Sequence, residues 1–269
     1  MVVALGIEYD GSEFSGWQVQ PDQPTVQAAL ERALEAFLGR PTPTICAGRT
    51  DAGVHATHQV VSFATEALRR PESWVRGLNA NLPKSVAVRW MREVPEDFHA
   101  RFSARSRTYE YWILNDPVRS PIMRLRTGWV FRPLDHERMA EAAKTLLGTH
   151  DFTSFRAAEC QAATPVRTME ALDVVRVGSF VGVRLRANAF LQHMVRNIVG
   201  TLIYIGTGRE AVEWMAEVLA AKCRSAAAPT FSPCGLYLTG VEYAADVPQE
   251  AAGPFGSVFS DASPVRISR

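Results

Sequence analysis

The sequence predicts an α+β protein with two tandem lobes, each a ferredoxin-like unit with its elements in the order β-α-β-β-α-β and a mixed, mostly antiparallel sheet. Three observations lead to this fold class. Strand-like apolar runs alternate with stretches of helical periodicity, and their order is similar in both halves of the chain. Turns that contain glycine or proline separate the runs. The chain has 269 residues, 47% of them hydrophobic, which is enough for two lobes with cores of their own.

Residues 1–103 form the predicted N-terminal lobe, which begins with a strand from Val2 to Glu8. A helix follows between its N-cap Thr25 and the terminating Gly39. Its buried stripe consists of Val26, Ala29, Leu30, Ala33, Leu34, Phe37 and Leu38. The later predicted elements are strands over 42–47 and 58–65, a short helix over 73–83 that ends at Pro83, and a strand over 85–94.

Residues 104–245 form the predicted C-terminal lobe, with the boundary near residues 100–106. Asp135 is the expected N-cap of a helix that ends before Gly148. The other predicted elements are strands over 107–114, 129–131, 169–177, 180–188 and 236–243, and helices over 190–206 and 210–222. From residue 246 the chain is rich in Ala, Gly, Pro and Ser without an apolar period, which predicts a flexible tail over 246–269.

Charge and composition argue against several classes of protein. Lysine and arginine total 29 against 28 acidic residues, so any nucleic-acid binding must rest on local clusters. No leader-like start is visible, and no apolar run approaches the roughly 20 residues that span a bilayer. We therefore expect a soluble, cytoplasmic protein. The cysteines form no CxxC pair, which argues against a zinc or redox motif; they are Cys46, Cys160, Cys223 and Cys234.

The stretch AGRTDAGVHA, residues 47–56, joins two predicted strands and holds the leading candidate for chemistry. Asp51 lies between Gly48 and Gly53, which let the backbone turn tightly and leave room for a ligand. Arg49 is a nearby cation that would keep the Asp51 carboxylate ionised. The spacing alone is equally consistent with an ordinary turn, in which Asp51 caps its own loop and Arg49 pairs at the surface.

A local excess of arginine favours RNA binding. Between residues 101 and 132 the only acidic residues are Glu110 and Asp116, whereas the arginines are Arg101, Arg105, Arg107, Arg119, Arg124, Arg126 and Arg132. Cations that meet phosphates beside the rings of Tyr109, Tyr111 and Trp112 are typical of single-stranded RNA binding. The alternative is that these strand aromatics form core and that the chain simply uses arginine instead of lysine.

The predicted helix over 190–206 supplies another candidate, Arg196, on a largely apolar surface. A carboxylate in a cleft would be a suitable partner for this arginine, although a snorkelling side chain is the commoner explanation. His55 and His58 are three residues apart, and in a strand a pair with this spacing faces opposite sides. Since no third ligand is suggested by spacing, we expect no metal site there.

Six motifs in order resemble those of the tRNA pseudouridine synthase A family, and together they cover about residues 3–243. They are YDGSEFSGWQVQ at 9–20, GRTDAGVHA at 48–56, RTYEYWI at 107–113, HDFTSF at 150–155, HMVRNIVG at 193–200 and GLYLTGVEY at 235–243. Two positions depart from the pattern. Arg107 stands where we expect lysine, and Gln192 stands where we expect tyrosine.

The resemblance implies the pseudouridine synthase fold with a catalytic cleft between the lobes. It implies an enzyme that isomerises uridine to pseudouridine at positions 38, 39 and 40, in the anticodon stem-loop of tRNAs, as a homodimer without metal or cofactor. It also implies roles for individual residues. Asp51 is the catalytic aspartate and Tyr109 stacks on the target uracil, while the remaining positions are Arg49 and Arg196 near the aspartate and Leu236 in the pocket.

Two other classes of protein remain open on the residues alone. A non-catalytic RNA-binding protein with tandem RRM-like lobes would explain the arginines and the strand aromatics, but it leaves the GRTDAG loop without a role. An aspartyl phosphotransferase is suggested by EYDGS after the first strand, which is similar to a DxDG[TS] nucleophile loop. In this chain, however, Glu8 occupies the position of the nucleophile.

Overall fold

The computed structural model describes residues 1–251 and 253–256, and in this part of the chain ten strands and five α-helices form two compact units. The first unit comprises Met1–Arg107 and Tyr237–Pro254, and the second comprises Thr108–Leu236 with residues 255–256. The predicted α+β class and the mostly antiparallel sheet are confirmed. The predicted lobes were 1–103 and 104–245, whereas most of the last strand groups with the first unit, because it pairs with a strand there.

The first unit contains the β-α-β-β-α-β order that the sequence predicts. Its elements are β1 (Val2–Tyr9), α1 (Val26–Leu38), β2 (Ile45–Cys46), β3 (His55–Ala64), α2 (Pro71–Asn79) and β4 (Val86–Val94). Strand β1 lies between β4 and β3, and β2 pairs with β3, all antiparallel. The last strand, β10 (Leu236–Glu242), runs parallel to β3, with Tyr237 opposite His55.

Local sequence signals place helix α1 as predicted. The Thr25 hydroxyl accepts a hydrogen bond from the backbone N–H of Ala28, and Gly39 ends the helix in the left-handed conformation. Leu30 and Leu34 are fully buried. The helix therefore buries most of the apolar stripe that its periodicity predicts.

The second unit repeats a strand, a helix, a hairpin and a second helix. Its elements are β5 (Ser106–Asn115), β6 (Gly128–Val130), α3 (His136–Lys144), β7 (Gly148–Asp151), β8 (Val166–Val177), β9 (Phe180–Ala187), α4 (Met194–Gly206) and α5 (Trp214–Ala221). The strand order is β5-β9-β8-β7, with β6 parallel to β5. Asp135 caps α3 by accepting from the backbone N–H groups of Glu137 and Arg138, as predicted.

Helix α4 begins later than its apolar periodicity predicts. The predicted helix starts at residue 190, whereas the structure begins α4 at Met194 because His193 is left-handed, with φ 61°. Residues 190–192 serve tertiary contacts instead. The ring of Phe190 packs edge-on against Tyr109, and the carbonyl of Gln192 accepts a hydrogen bond from Ala157.

The start of the predicted tail has specific contacts in the first unit. Val247 is buried, the carbonyl of Pro248 lies 2.9 Å from the Nε2 atom of His58, and the amide of Gln249 hydrogen-bonds the backbone of Tyr243. The prediction of flexibility for residue 252 and residues 257–269 lies outside the described residues. No helix in the described ranges is long and apolar enough to cross a membrane.

Candidate active site

Asp51 lies in the connection between β2 and β3, in the loop formed by residues 48–53, which we call the Asp51 loop. Asp51 is half-buried, whereas Arg49 in the same loop is exposed. The backbone closes tightly because Val54 donates to the carbonyl of Asp51 at 3.1 Å and Gly53 has φ 77°. The predicted pair therefore shares one short loop, with Asp51 more sheltered than Arg49.

The segment after β1 supports the Asp51 loop through close backbone contacts. Trp17 donates its backbone N–H to the carbonyl of Thr50 at 3.0 Å, and the Thr50 hydroxyl lies 2.8 Å from that of Tyr9. Gly16 has φ 95°, and a Cβ atom there would lie 2.8 Å from the Thr50 carbonyl oxygen. At Gly11 a Cβ atom would lie 1.9 Å from the carbonyl oxygen of Val54. The motif YDGSEFSGW thus needs glycine where it meets the loop.

Two side chains fasten the start of the Asp51 loop. The buried amide of Gln59 donates to the Gly48 carbonyl at 2.6 Å and accepts from the Gly48 N–H at 3.4 Å. The guanidinium of Arg107 donates to the carbonyl of Ala47 from both Nη2, at 2.9 Å, and Nε, at 3.3 Å. The sequence did not reveal the supporting role of either residue, because neither has a spacing that indicates which backbone groups it meets.

The structure corrects the predicted RNA-binding cluster at three positions. Arg107 is only 9% exposed and donates to backbone carbonyls, so its side chain is committed within the protein. Tyr111 and Trp112 are fully buried, as the core alternative for strand aromatics predicts. The remaining six arginines of the cluster are exposed; they are Arg101, Arg105, Arg119, Arg124, Arg126 and Arg132.

Tyr109 lies on β5 in the second unit and is 7% exposed. The ring of Phe190 meets it edge-on, with centroids 5.0 Å apart and an interplanar angle of 79°. This contact fixes the orientation of the tyrosine ring. Farther along β5, Tyr111 requires glycine at position 128, since a Cβ atom at Gly128 would lie 2.6 Å from the Tyr111 hydroxyl.

Arg196 is half-buried on α4 and binds the segment formed by residues 223–236, which we call the Leu236 segment. The Nε atom of Arg196 donates to the carbonyl of Phe231 at 2.8 Å, and Phe231 donates its N–H to the carbonyl of Arg196 at 3.3 Å. The neighbouring Asn197 is fully buried, and its Oδ1 atom accepts from the Thr230 hydroxyl at 2.7 Å and from Arg224 at 3.1 Å. Asn197 is a further supporting residue that the sequence did not reveal.

Leu236 stands at the end of the Leu236 segment and is 5% exposed. The carbonyl of the preceding Gly235 accepts from the Trp112 N–H at 2.9 Å, and a Cβ at Gly235 would lie 2.4 Å from the Trp112 carbonyl oxygen. Burial raises the pKa of the Tyr111 hydroxyl well above its usual range, so this group stays protonated and donates to the carbonyl of Ser232 at 2.7 Å. Strand β5 therefore holds the segment in place.

The residues that suggested a phosphotransferase or a metal site make other contacts in the structure. Glu8 faces solvent on β1 with its carboxylate 3.4 Å from the Nε atom of Arg89, which does not resemble a nucleophile held in a loop. The ring of His55 stacks on Tyr237 with centroids 4.7 Å apart, and its Nδ1 atom lies 3.1 Å from the Asp10 carboxylate. Within residues 1–251 and 253–256, no group of three or more His, Cys, Asp or Glu side chains could hold a metal ion.

Sequence comparison identifies the class of protein as an RNA-modifying isomerase. The family model described as tRNA pseudouridine synthase matches residues 6–103 and 142–244. A tRNA pseudouridine synthase A from Paraburkholderia phytofirmans is 54% identical over 263 residues, which are 96% of this chain and 97% of that protein. Proteins with the same description from Bordetella petrii (57% identical; 90% of this chain, 91% of that protein) and Burkholderia multivorans (53%; 98% and 99%) are similarly close.

The chain therefore belongs to the tRNA pseudouridine synthase family, whose members isomerise uridine to pseudouridine. This membership confirms the resemblance that the six motifs indicate. Of the predicted site residues, Arg49 and Asp51 share the Asp51 loop of the first unit, whereas Tyr109, Arg196 and Leu236 belong to the second.

Proposed function

We propose that this chain isomerises uridine to pseudouridine at positions 38, 39 and 40 in the anticodon stem-loop of tRNAs, with Asp51 as the catalytic residue. The observation that carries the proposal is the supported Asp51 loop in a chain of this family. Asp51 is half-buried in a loop whose backbone is hydrogen-bonded on both sides, so the residue is pre-organised for chemistry and little reorganisation is needed when substrate binds.

The reaction breaks the bond between C1′ of the ribose and N1 of uracil, rotates the base, and forms a bond between C1′ and C5. The proton on C5 is then lost, and a proton is restored to N1. An ionised Asp51 assists either by attacking the ribose as a nucleophile or by removing a sugar proton. The small residues around Asp51 suit this role because a nucleotide must come close to the backbone.

The other predicted site residues act on the same uridine in our proposal. Tyr109 stacks on the detached uracil and keeps it in the pocket while it rotates, because its ring is already fixed edge-on by Phe190. Arg49 and Arg196 provide positive charge near the carboxylate of Asp51. Leu236 packs against the base as an apolar wall.

Binding of tRNA would have to offset the cost of taking the target base out of its stack, roughly a few kcal/mol. The six exposed arginines between residues 101 and 132 are suited to phosphate contacts for this purpose.

We further propose that the enzyme works in the cytoplasm as a homodimer and needs no metal or cofactor. Sedimentation of the purified chain tests the dimer.

Tritium release from carbon-5-labelled uridine in unmodified tRNA tests the proposed reaction and its location. We expect the wild-type chain to release tritium, and release should persist in EDTA. A matched tRNA with cytidine at positions 38, 39 and 40 should release none above background. Release from that control tRNA would contradict the anticodon location, and loss of activity in EDTA would contradict the metal-free reaction.

A further inference from the structure

Arg107 joins two separate stretches of backbone, because its buried guanidinium group donates to three carbonyls. Nη2 donates to the carbonyls of Ala47, at 2.9 Å, and Arg101, at 2.6 Å, and Nη1 donates to that of Ala104 at 3.2 Å. We infer that Arg107 is a positioning residue for Asp51, which braces the start of the Asp51 loop against the turn over residues 99–104. This inference rests on the proposed catalytic role of Asp51.

The first acceptor, Ala47, is the last residue before the Asp51 loop. Its N–H donates to the carbonyl of Val60 on β3 at 2.8 Å, so Ala47 is held by β3 on one side and by Arg107 on the other. The next residue, Gly48, is held by the buried amide of Gln59. Without Arg107 the start of the loop would lose one of the side-chain attachments described above.

The other two acceptors lie in a turn that is itself firmly attached. Ala100 donates its N–H to the Ser62 hydroxyl at 3.0 Å, and its carbonyl accepts from the Tyr243 hydroxyl at 2.6 Å. The Nδ1 atom of His99 accepts from the backbone N–H groups of Arg101 and Phe102, both at 3.2 Å. The turn can therefore serve as a fixed point for the guanidinium.

Arginine suits this place better than lysine. A planar guanidinium presents donors in several fixed directions, whereas an ammonium group is a compact and strongly hydrated charge on a flexible stem. In Arg107 the Nε and Nη2 atoms share the Ala47 carbonyl while Nη1 points to Ala104. The difference bears on this chain because its motif has arginine where the family resemblance leads us to expect lysine.

The deciding experiment compares single-turnover tritium release and tRNA binding in Arg107→Lys, Arg107→Met and the control Arg176→Lys. Arg176 is a matched arginine in the second unit, half-buried, with Nη2 bonded to the carbonyl of Leu134 at 2.6 Å and to Asn115 at 3.0 Å. We expect the rate constant to fall about 10-fold in Arg107→Lys and about 100-fold in Arg107→Met, because misplacement of a reacting group by about 1 Å costs about this much. The Kd for tRNA should stay within about twofold.

A merely structural role would give a different result. It would reduce the amplitude of the single turnover, which counts active molecules, and leave the rate constant unchanged. That outcome, or an equal loss of rate in Arg176→Lys, would overturn the inference while wild-type activity kept the proposed function intact. Absence of tritium release by the wild type would overturn both.

Hydrogen exchange of the amides at 48–53 provides a second measurement: exchange should be faster in Arg107→Lys and unchanged in Arg176→Lys.

Discussion

The Asp51 loop and the Leu236 segment are both irregular, but they are fixed by different means. The Asp51 loop is short and meets its neighbours through backbone groups, with Gly11 and Gly16 pressed against it. The Leu236 segment is longer, and side chains from α4 and β5 bind its backbone and side chains; they include Arg196, Asn197 and Tyr111. Close backbone contacts at glycines fix most of the Asp51 loop, with the side chains of Gln59 and Arg107 acting at its start. The Leu236 segment is held by side chains that bind it at several points along its length.

This difference predicts which substitutions disturb each region. Addition of one methyl group should displace the Asp51 loop, since there is no space beside its backbone. Removal of one polar side chain should loosen the Leu236 segment, since buried partners would lose their hydrogen bonds. The substitutions below test the comparison, beginning with the largest expected change.

Gly16→Ala should lower kcat about 100-fold. The new Cβ would lie 2.8 Å from the carbonyl oxygen of Thr50 and 3.2 Å from the carbonyl carbon of Asp51, so the loop must move, and small displacements of reacting groups carry this cost. Steady-state tritium release from labelled tRNA measures the effect.

Gly39→Ala is the matched control for Gly16→Ala. Both glycines have positive φ, 95° at Gly16 and 74° at Gly39, but nothing lies within 4 Å of a Cβ at Gly39. Both substitutions should destabilise the fold by roughly 1–2 kcal/mol through left-handed strain, whereas only Gly16→Ala should lower kcat. Equal activity in the two variants would show that the loop does not need this glycine.

Asn197→Ala should destabilise the protein by about 1–3 kcal/mol, because its buried hydrogen-bond partners lose the amide. We also expect kcat to fall several-fold. Asn197 binds Thr230, and the carbonyl of the next residue, Phe231, accepts a hydrogen bond from Arg196, so a looser segment would leave Arg196 less well positioned. Denaturant unfolding and tritium release measure the two effects. Asn79→Ala serves as the control, because Asn79 bonds the backbone of Val88 in the first unit. An unchanged kcat in Asn197→Ala would show that the attachment of the Leu236 segment to Asn197 does not affect the position of Arg196.

The smallest expected effect concerns strand β3, which carries Gln59 and begins just after the Asp51 loop. Burial lowers the pKa of His58 below its usual 6.5, more than the hydrogen bond to Pro248 raises it. The unfolded chain therefore binds a proton first as the pH falls below about 6.5, and the stability contributed by neutral His58 is lost between that pH and the lower folded pKa. The free energy of unfolding should fall less on acidification in His58→Gln than in the wild type. An identical fall in both proteins would contradict this prediction.

The parts of the fold that follow from local chemistry were predictable from the sequence. Thr25 and Gly39 bound α1 where their capping chemistry predicts, and Asp135 does the same for α3. The start of α4 was not predictable, because Phe190 continues the apolar period but packs on Tyr109 instead. Tertiary contact overrides periodicity at that point.

Sequence motifs identify the candidate site residues, but they do not identify the residues that hold the site in place. Asp51 and Arg49 stand out through a short loop with glycines, whereas Arg107 was grouped with the exposed arginines because composition carries no information about burial. Its acceptors, Ala47, Arg101 and Ala104, belong to two stretches that only the fold brings together. The role of a guanidinium that binds backbone carbonyls therefore becomes visible only in three dimensions.

The central claim is that Asp51 performs the chemistry of uridine isomerisation, and Asp51→Asn tests it most directly. Asp22→Asn is the control, since Asp22 is exposed with φ 56°, a conformation that asparagine tolerates equally well. With tRNA at saturating concentration, we expect tritium release to fall by at least about 1,000-fold in Asp51→Asn while tRNA binding is retained and Asp22→Asn matches the wild type. Retention of wild-type release by Asp51→Asn would contradict the claim.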